Sequence, residues 1–149
     1  LSHTSILNNF KQKRAEAPDT EITLTATIPQ IRMTRRIVGS ATMDTEDDRL
    51  YREDSVGLTG NWKVRGPIYE IPLDAIASVN IGNLFAAGRM ISATDRMWDV
   101  TRVIPTCAVT GEAAGIAAFL ASEGDVNVRE LQKRLVRGGV KLHVSDVLS

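Results

Sequence analysis

A run of small and apolar residues from position 107 to position 121 constrains the fold of this chain more than any other segment. Pro105 and Thr106 precede the run. Because a threonine hydroxyl accepts hydrogen bonds from the first amides of a helix, we expect a helix to begin near Thr106. Gly111 and Gly115 lie four residues apart, on one helix face. Since glycine inside a helix costs about 1 kcal/mol relative to alanine, this pair predicts close packing against a sheet or a cofactor. The alternative is a tightly packed core helix without a ligand.

The segment before this helix predicts a buried strand followed by a sharp turn. Residues 83–87 are short and apolar, which is typical of a strand covered on both faces. Gly88 follows and can adopt backbone angles that other residues avoid, so the chain can turn there and let a ligand approach. No acidic side chain occurs at the helix start before Glu112. Free amides and the helix dipole therefore favour an anion at that end.

The remaining segments predict a mixed α/β chain. In order, we expect a helix over residues 5–17, strands over residues 21–28 and 31–43, a loop over residues 44–67, a strand over residues 68–76, and a last helix between Asn127 and Gly138. Asn127 with Glu130 resembles a capping box, and Gly124 is well placed to end the preceding helix. Residues 140–149 predict a short extended piece with a frayed end. No metal-ligand spacing appears, and the acidic loop lacks the order of a calcium loop.

Composition excludes several classes of protein. Eighteen basic and eighteen acidic residues balance in a chain of 149 residues, which argues against a nucleic-acid surface. The only cysteine, Cys107, cannot form an internal disulfide, so we expect a reducing, cytoplasmic compartment. We expect no membrane partner, because no apolar run reads as long enough to cross a bilayer and no signal-peptide pattern appears.

Five short motifs together resemble one known family. They are MTRRIVG at residues 33–39, YEIPLDAI at 69–76, AGRMISAT at 87–94, TRVIPTC at 101–107 and GEAAGIAA at 111–118. In this order and spacing they are similar to the C-terminal portion of bacterial FAD-dependent oxidoreductases with a two-dinucleotide-binding-type fold. The resemblance covers residues 31–135. It implies a partial FAD/NAD(P)-binding, Rossmann-like α/β fold. Residues 1–79 would then belong to a substrate-side or cap sheet with an N-terminal helix, and residues 80–149 to the C-terminal segment of the FAD-binding domain.

The resemblance also implies which residues contact FAD, through a strand, turn and helix that close on the ribityl chain and the flavin ring. These residues are Gly88, Arg89, Ser92, Arg102, Pro105, Thr106, Cys107, Ala108 and Gly111. Gly88 and Arg89 would lie against the ribityl–phosphate part, where a guanidinium suits phosphate. The amides near Thr106 would face the flavin edge that becomes negative on reduction, and a helix N-terminus favours that charge.

Several polar residues near this helix allow two interpretations. Arg102 either adds positive charge or holds a substrate carboxylate, or it forms a structural salt bridge to Asp95 or Asp99. Cys107 has no resolving cysteine and no histidine nearby in sequence, so a buried structural thiol is the favoured interpretation. Asp95 stands where relatives in this family often have histidine, which puts an acid–base role of that position in doubt. The catalytic residues are therefore not assigned.

Two features upstream of the helix also have alternatives. Arg32, Arg35 and Arg36 either form ion pairs and pack their stems at a sheet edge, or contact an anionic substrate. Trp62 either covers a cleft or packs on the core.

The sequence contains no G-x-G-x-x-G after a strand, the loop that holds the ADP pyrophosphate in this fold. We therefore interpret the chain as the C-terminal portion of a larger oxidoreductase that passes a hydride from an unknown organic substrate to FAD. By itself the chain is expected to lack FAD and to be inactive. Its expected partners are the remainder of the parent flavoprotein and a small-molecule substrate, and its exposed apolar faces favour a homodimer. The alternative function is a non-catalytic interaction module that keeps the scaffold without the cofactor.

Overall fold

The chain divides into two compact units, Leu1–Arg32 and Met33–Ser149. The computed structural model describes residues 2–24 and 33–148. The first unit contains helix α1 (Ser2–Glu16), which confirms the helix predicted near the N-terminus. The second unit contains the candidate site, and the fold described below is that of this unit.

The second unit combines helices with one small sheet, which is consistent with the α/β class. Its elements are β1 (Ser55–Gly60), β2 (Ile68–Pro72), α2 (Leu73–Ile76), a first 3-10 turn (Gly88–Met90), α3 (Asp95–Thr101), α4 (Ile104–Glu123), α5 (Val128–Arg137) and a second 3-10 turn (Val144–Asp146). β1 and β2 are antiparallel, with Leu58 opposite Glu70 and Gly60 opposite Ile68. The division of the flavoprotein between residues 79 and 80 stays a prediction.

Three predicted strands are absent from the residues that the structure describes. Residues 33–43 form no strand, and only Met43 makes an isolated parallel bridge, to Ala93. Residues 21–24 have no regular structure, and the rest of that predicted strand lies outside the described residues. Residues 83–87 form a loop in which one residue makes an isolated bridge. Apolar composition predicted these strands, but a strand also needs a neighbour with which its backbone can pair.

The sheet lies partly inside a segment predicted as a loop. Residues 44–67 include β1, whose glycines resemble turn residues in the sequence. Gly57 instead allows close packing, because a Cβ added there would lie 2.3 Å from Cγ1 of Val109 on α4. β2 confirms the first part of the strand predicted over 68–76. That strand ends at Pro72, which has no amide for the ladder, and α2 follows.

The helix ends near the C-terminus follow the local sequence signals. Gly124 caps the end of α4 with a φ of 153°, as its position predicted. Oδ1 of Asn127 accepts a hydrogen bond of 3.1 Å from the amide of Glu130 at the start of α5. Gly138 caps the end of α5. These signals are local, so the sequence alone was sufficient to place them.

The core of the second unit lies where the sheet meets α4 and α5. Its buried members include Val56, Tyr69, Ile71, Ile76, Ile91, Met97, Ala113, Ala117, Leu131 and Leu135. From α4, Ala113 and Ala117 are fully buried, and their small side chains let the sheet approach the helix backbone closely.

Helix α4 is long and apolar enough to cross a membrane by length and composition alone. Over the described residues it is the one helix that passes this test, with a mean hydropathy of 1.4. The expectation that no segment of this kind exists was therefore wrong. Core helices of globular proteins pass the same test, and one third of this segment, 33%, is buried within the unit.

The segment after α5 is tied to the sheet rather than frayed. The hydroxyl of Ser55 donates a hydrogen bond of 2.5 Å to the carbonyl of Leu142. The amide of Val144 donates to Oε1 of Glu70 at 3.0 Å. Leu142 is buried, so this segment completes one edge of the core and the predicted frayed end is wrong through residue 148.

Candidate functional site

The turn at Gly88 packs directly on the first turns of α4. Gly88 has a φ of 63°, and its amide donates a hydrogen bond of 2.8 Å to Oγ1 of Thr110. A Cβ added to Gly88 would lie 2.9 Å from Sγ of Cys107. The structure thus brings together the predicted turn and the predicted helix start. The thiol is half-buried, so it is less enclosed than the structural thiol expected from the sequence.

The start of α4 is open to solvent and has no side-chain cap. Val103 is the N-cap residue, and no side chain bonds the first amides. Pro105 occupies the first turn, where its missing amide does no harm. Ile104, Pro105 and Ala108 are exposed, and the first turn has no acidic residue. Pro105 has no amide and the amide of Cys107 donates to the carbonyl of Val103, so the first turn offers an anionic ligand the amides of Ile104 and Thr106 and the positive end of the helix dipole.

Thr106 was predicted to cap the start of the helix, but it lies inside the helix. It is the third residue of α4 and is buried. Its hydroxyl lies 2.6 Å from the hydroxyl of Thr59 on β1. The hydroxyl of Thr110 donates to the backbone carbonyl of Thr106 at 2.7 Å. Because the Thr106 side chain faces the sheet, its contribution to ligand binding would come from its backbone.

Arg89 and Ser92 occupy different environments after the turn. Arg89 is exposed, and its backbone carbonyl accepts a hydrogen bond from the indole of Trp98. Ser92 is buried, and its hydroxyl lies 3.0 Å from the hydroxyl of Thr42. Arg89 therefore lies at the surface of this unit, whereas the Ser92 side chain supports the loop from inside.

Arg102 forms a structural ion pair with Asp99, which is one of the two interpretations that the sequence allowed. Its Nε donates to Oδ1 of Asp99 at 2.8 Å, whereas Asp95 lies elsewhere and pairs with another arginine. Lys63 also contacts the Asp99 carboxylate, and hydrogen bonds from Lys63 and then from Arg102 hold the pKa of Asp99 below its usual range. The indole of Trp62 donates to the backbone carbonyl of Asp99 at 3.0 Å. Trp62 is 56% exposed, so it is not a core residue.

The two glycines of α4 do not pack closely on any described residue. Gly111 and Gly115 are both exposed. A Cβ added at either position would meet no described atom within 4 Å. The predicted close packing is therefore wrong within this unit, and the helix face that carries the two glycines is exposed to solvent.

A groove of about 410 Å³ lies beside the start of α3. Its lining residues are Arg36, Thr42, Asp44, Glu46, Thr94, Asp95 and Arg96. Arg36 pairs with Asp95 at 2.9 Å and stacks over Trp98 at 4.7 Å, which agrees with the ion-pair interpretation of the arginine segment. Arg32 lies outside the described residues. A hydrogen bond from the Thr94 side chain, helped by the Glu46 amide, keeps the pKa of Asp44 below its usual range.

A buried carboxylate that the sequence did not single out lies on β2. Glu70 is 5% exposed and accepts hydrogen bonds from the amides of Arg52 and Val144. Its Oε2 lies 2.9 Å from Nδ1 of His143, whose ring stacks on Tyr51. These partners are far from Glu70 in sequence, so no local pattern indicated the cluster. In the part of the chain that the structure describes, no three His, Cys, Asp or Glu side chains are grouped as a metal site requires.

Comparison with known proteins gives one match. The family model described as FAD dependent oxidoreductase matches residues 2–140. No curated protein and no solved structure matches the chain.

Proposed function

Since the chain belongs to the FAD dependent oxidoreductase family, we propose that it contributes to an FAD site through the turn at Gly88 and the start of α4. The chemistry supplied at such a site is hydride transfer between an organic substrate and FAD. The observation that carries the proposal is the contact between Gly88 and Cys107, which holds the turn against an uncapped, exposed helix start. The family match extends over both elements.

The residues present fit an anionic, close-packed cofactor. The first turn of α4 offers amide donors without a competing acidic side chain, which suits phosphate or a negatively charged ring edge. Arg89 is exposed directly after Gly88, and its guanidinium would bind the ribityl–phosphate part of FAD. Ala108 and Gly111 are exposed and carry a methyl group and no side chain, respectively, which would let a ligand lie close to the helix backbone.

The roles of the other predicted cofactor residues follow from their surroundings. Arg102 lies beside the helix start, where it is bound by Asp99, and in our proposal it contributes long-range positive charge. Ser92 would act by fixing the loop after the turn. Pro105 would fix the backbone of the first turn of α4, and Thr106 would hold that turn against β1.

We further propose that the chain is the C-terminal portion of a larger flavoprotein with a Rossmann-like FAD domain. The sequence lacks the G-x-G-x-x-G loop that binds the ADP pyrophosphate, so another segment would have to supply it. Ile104 and Phe119 on α4 are 86% and 49% exposed, and burying them against the remainder of the parent protein would be favourable. In this proposal the chain alone neither holds FAD nor is active.

The proposal is tested by the visible absorbance spectrum of the full-length protein, purified without added cofactor. Ala108→Glu places an acid beside the helix start, and Ala108→Gln is the matched control of similar size without charge. We expect a flavin spectrum in the parent protein and an FAD dissociation constant about fivefold higher for A108E than for A108Q, since a charge at a helix end is worth up to about 1 kcal/mol.

The outcomes separate the two functions considered. A flavin spectrum whose strength depends on the charge at position 108 supports the FAD site. A folded, colourless protein that takes up no added FAD overturns it and leaves the non-catalytic interaction module. Equal FAD affinity of A108E and A108Q would show that the helix start does not contribute to binding.

A further inference from the structure

The loop that joins β1 and β2, residues 61–67 (the hairpin loop), reaches toward the start of α4. Gly57 on β1 packs on Val109, and further along the strand Thr59 contacts Thr106. Successive residues of β1 therefore meet successively earlier turns of α4. The hairpin loop continues in this direction and reaches the residues that precede the helix.

Asp99 binds the hairpin loop through both its side chain and its backbone. Its carboxylate contacts Lys63 from the loop and Arg102 from the segment before α4. Its backbone carbonyl accepts the indole hydrogen bond of Trp62. The Asp99 side chain is 19% exposed, so the charge-assisted contacts are partly shielded from water.

The hairpin loop presents an aromatic ring and cationic groups to solvent. Trp62 is more than half exposed even though its indole nitrogen is bonded, and Nζ of Lys63 lies 5.2 Å from its ring centroid. Val64 and Arg65 are exposed as well. A fixed aromatic face flanked by positive charge suits a planar, anionic ligand.

We propose that Asp99 is a positioning residue, which holds the hairpin loop as one wall of the FAD site at the start of α4. This inference rests on the proposed function, because the wall would border the flavin or the substrate beside it. Asp99 does not touch the ligand. It acts through Trp62 and Lys63, whose placement depends on its carboxylate and its carbonyl.

Limited trypsin digestion of the full-length protein tests the inference, with cleavage after Lys63 and Arg65 followed by mass spectrometry. Asp99→Asn removes the charge, Asp99→Glu restores it, and Asp95→Asn, on the same helix, removes an exposed carboxylate that pairs with Arg36 rather than with the hairpin loop. We expect D99N to raise the cleavage rate about fivefold, D99E to recover most of the protection, and D95N to have no effect, since partly exposed ion pairs are worth up to about 1 kcal/mol. Saturating FAD should slow cleavage of the unsubstituted full-length protein after both Lys63 and Arg65.

The outcomes separate the anchor, the wall and the FAD site. Unchanged cleavage in D99N overturns the anchoring role of Asp99. FAD that binds without protecting the hairpin loop overturns its role as a wall and leaves the FAD site intact. Absence of FAD binding refutes the proposed function together with the wall, whereas the D99N digestion still tests the anchor. Thermal midpoints of all three variants separate local release of the loop from global unfolding.

Discussion

Replacing Gly88 with alanine tests the contact that carries the candidate site. Gly88 has a φ of 63°, and left-handed backbone costs an L-residue about 1–2 kcal/mol. The new Cβ would lie 2.9 Å from Sγ of Cys107, and overpacking of this kind costs about 1 kcal/mol at its lower limit, because the thiol can rotate. We expect Gly88→Ala to lower the free energy of unfolding by about 2–3 kcal/mol.

The two contributions can be separated with a second substitution. Cys107→Ala removes Sγ and leaves contacts of 3.5 Å to Cβ and 3.9 Å to Cα of residue 107, which are ordinary distances. The double variant G88A/C107A should therefore recover about 1 kcal/mol and retain the backbone strain. Gly82→Ala is the matched control, since no described atom lies within 4 Å of its added Cβ and its φ is not positive.

The assay is urea unfolding of the apo protein followed by circular dichroism, with a check that the m-value is unchanged. The reasoning is refuted if G88A loses less than about 0.5 kcal/mol, the level typical of neutral surface substitutions. It is also refuted if the double variant G88A/C107A is no more stable than G88A, because the turn would then not pack on α4 as described.

Three further predictions concern contacts described above. Thr59→Val should cost about 1–2 kcal/mol, because it leaves the buried hydroxyl of Thr106 without its partner. Thr106→Val should cost less, because the Thr59 hydroxyl keeps a long hydrogen bond of 3.5 Å to the carbonyl of Gly60, and the double variant should be nearly neutral in urea unfolding. Glu70→Gln should cost about 2 kcal/mol and accelerate amide exchange at Val144, and unchanged exchange there would contradict the tie between this carboxylate and the C-terminal segment. The pKa of Asp99 is lowered in the folded state, so its carboxylate stabilises the fold above the ordinary pKa of an aspartate and this stabilisation is lost as the pH falls through the lowered value. The unfolding free energies of the unsubstituted protein and of D99N should therefore differ most at neutral pH and converge in acid. A difference that stays constant with pH would show that the Asp99 carboxylate does not stabilise the fold in this way.

Features set by neighbouring residues could be predicted from the sequence. Asn127 caps α5 because its side chain reaches an amide three residues later, and Gly88 turns the chain because its own backbone permits it. Both depend on a few consecutive residues. The family resemblance, which rests on several ordered motifs, agrees with the family match over residues 2–140.

Features set by distant partners could not be predicted in this way. A glycine in a sequence does not reveal which face will meet a neighbour, so the pattern predicts close packing at Gly111 and a loop at Gly57, whereas Gly57 is the one that packs on α4. The same reason explains Thr106, whose hydroxyl is used by β1 rather than by its own helix end. The FAD contacts at the start of α4 depend on the position of the bound cofactor, and they stay a prediction.

The bond between Ser55 and Leu142 has a consequence for how this unit forms during synthesis. The two residues are separated by 87 positions, so one edge of the sheet stays incomplete until the last part of the unit has been made. At translation rates of about 5–20 residues per second, the ribosome needs about 4–17 seconds to make the segment between them. During that interval the Ser55 end of β1 would lack this bond and would be accessible to chaperones and to other unfinished chains.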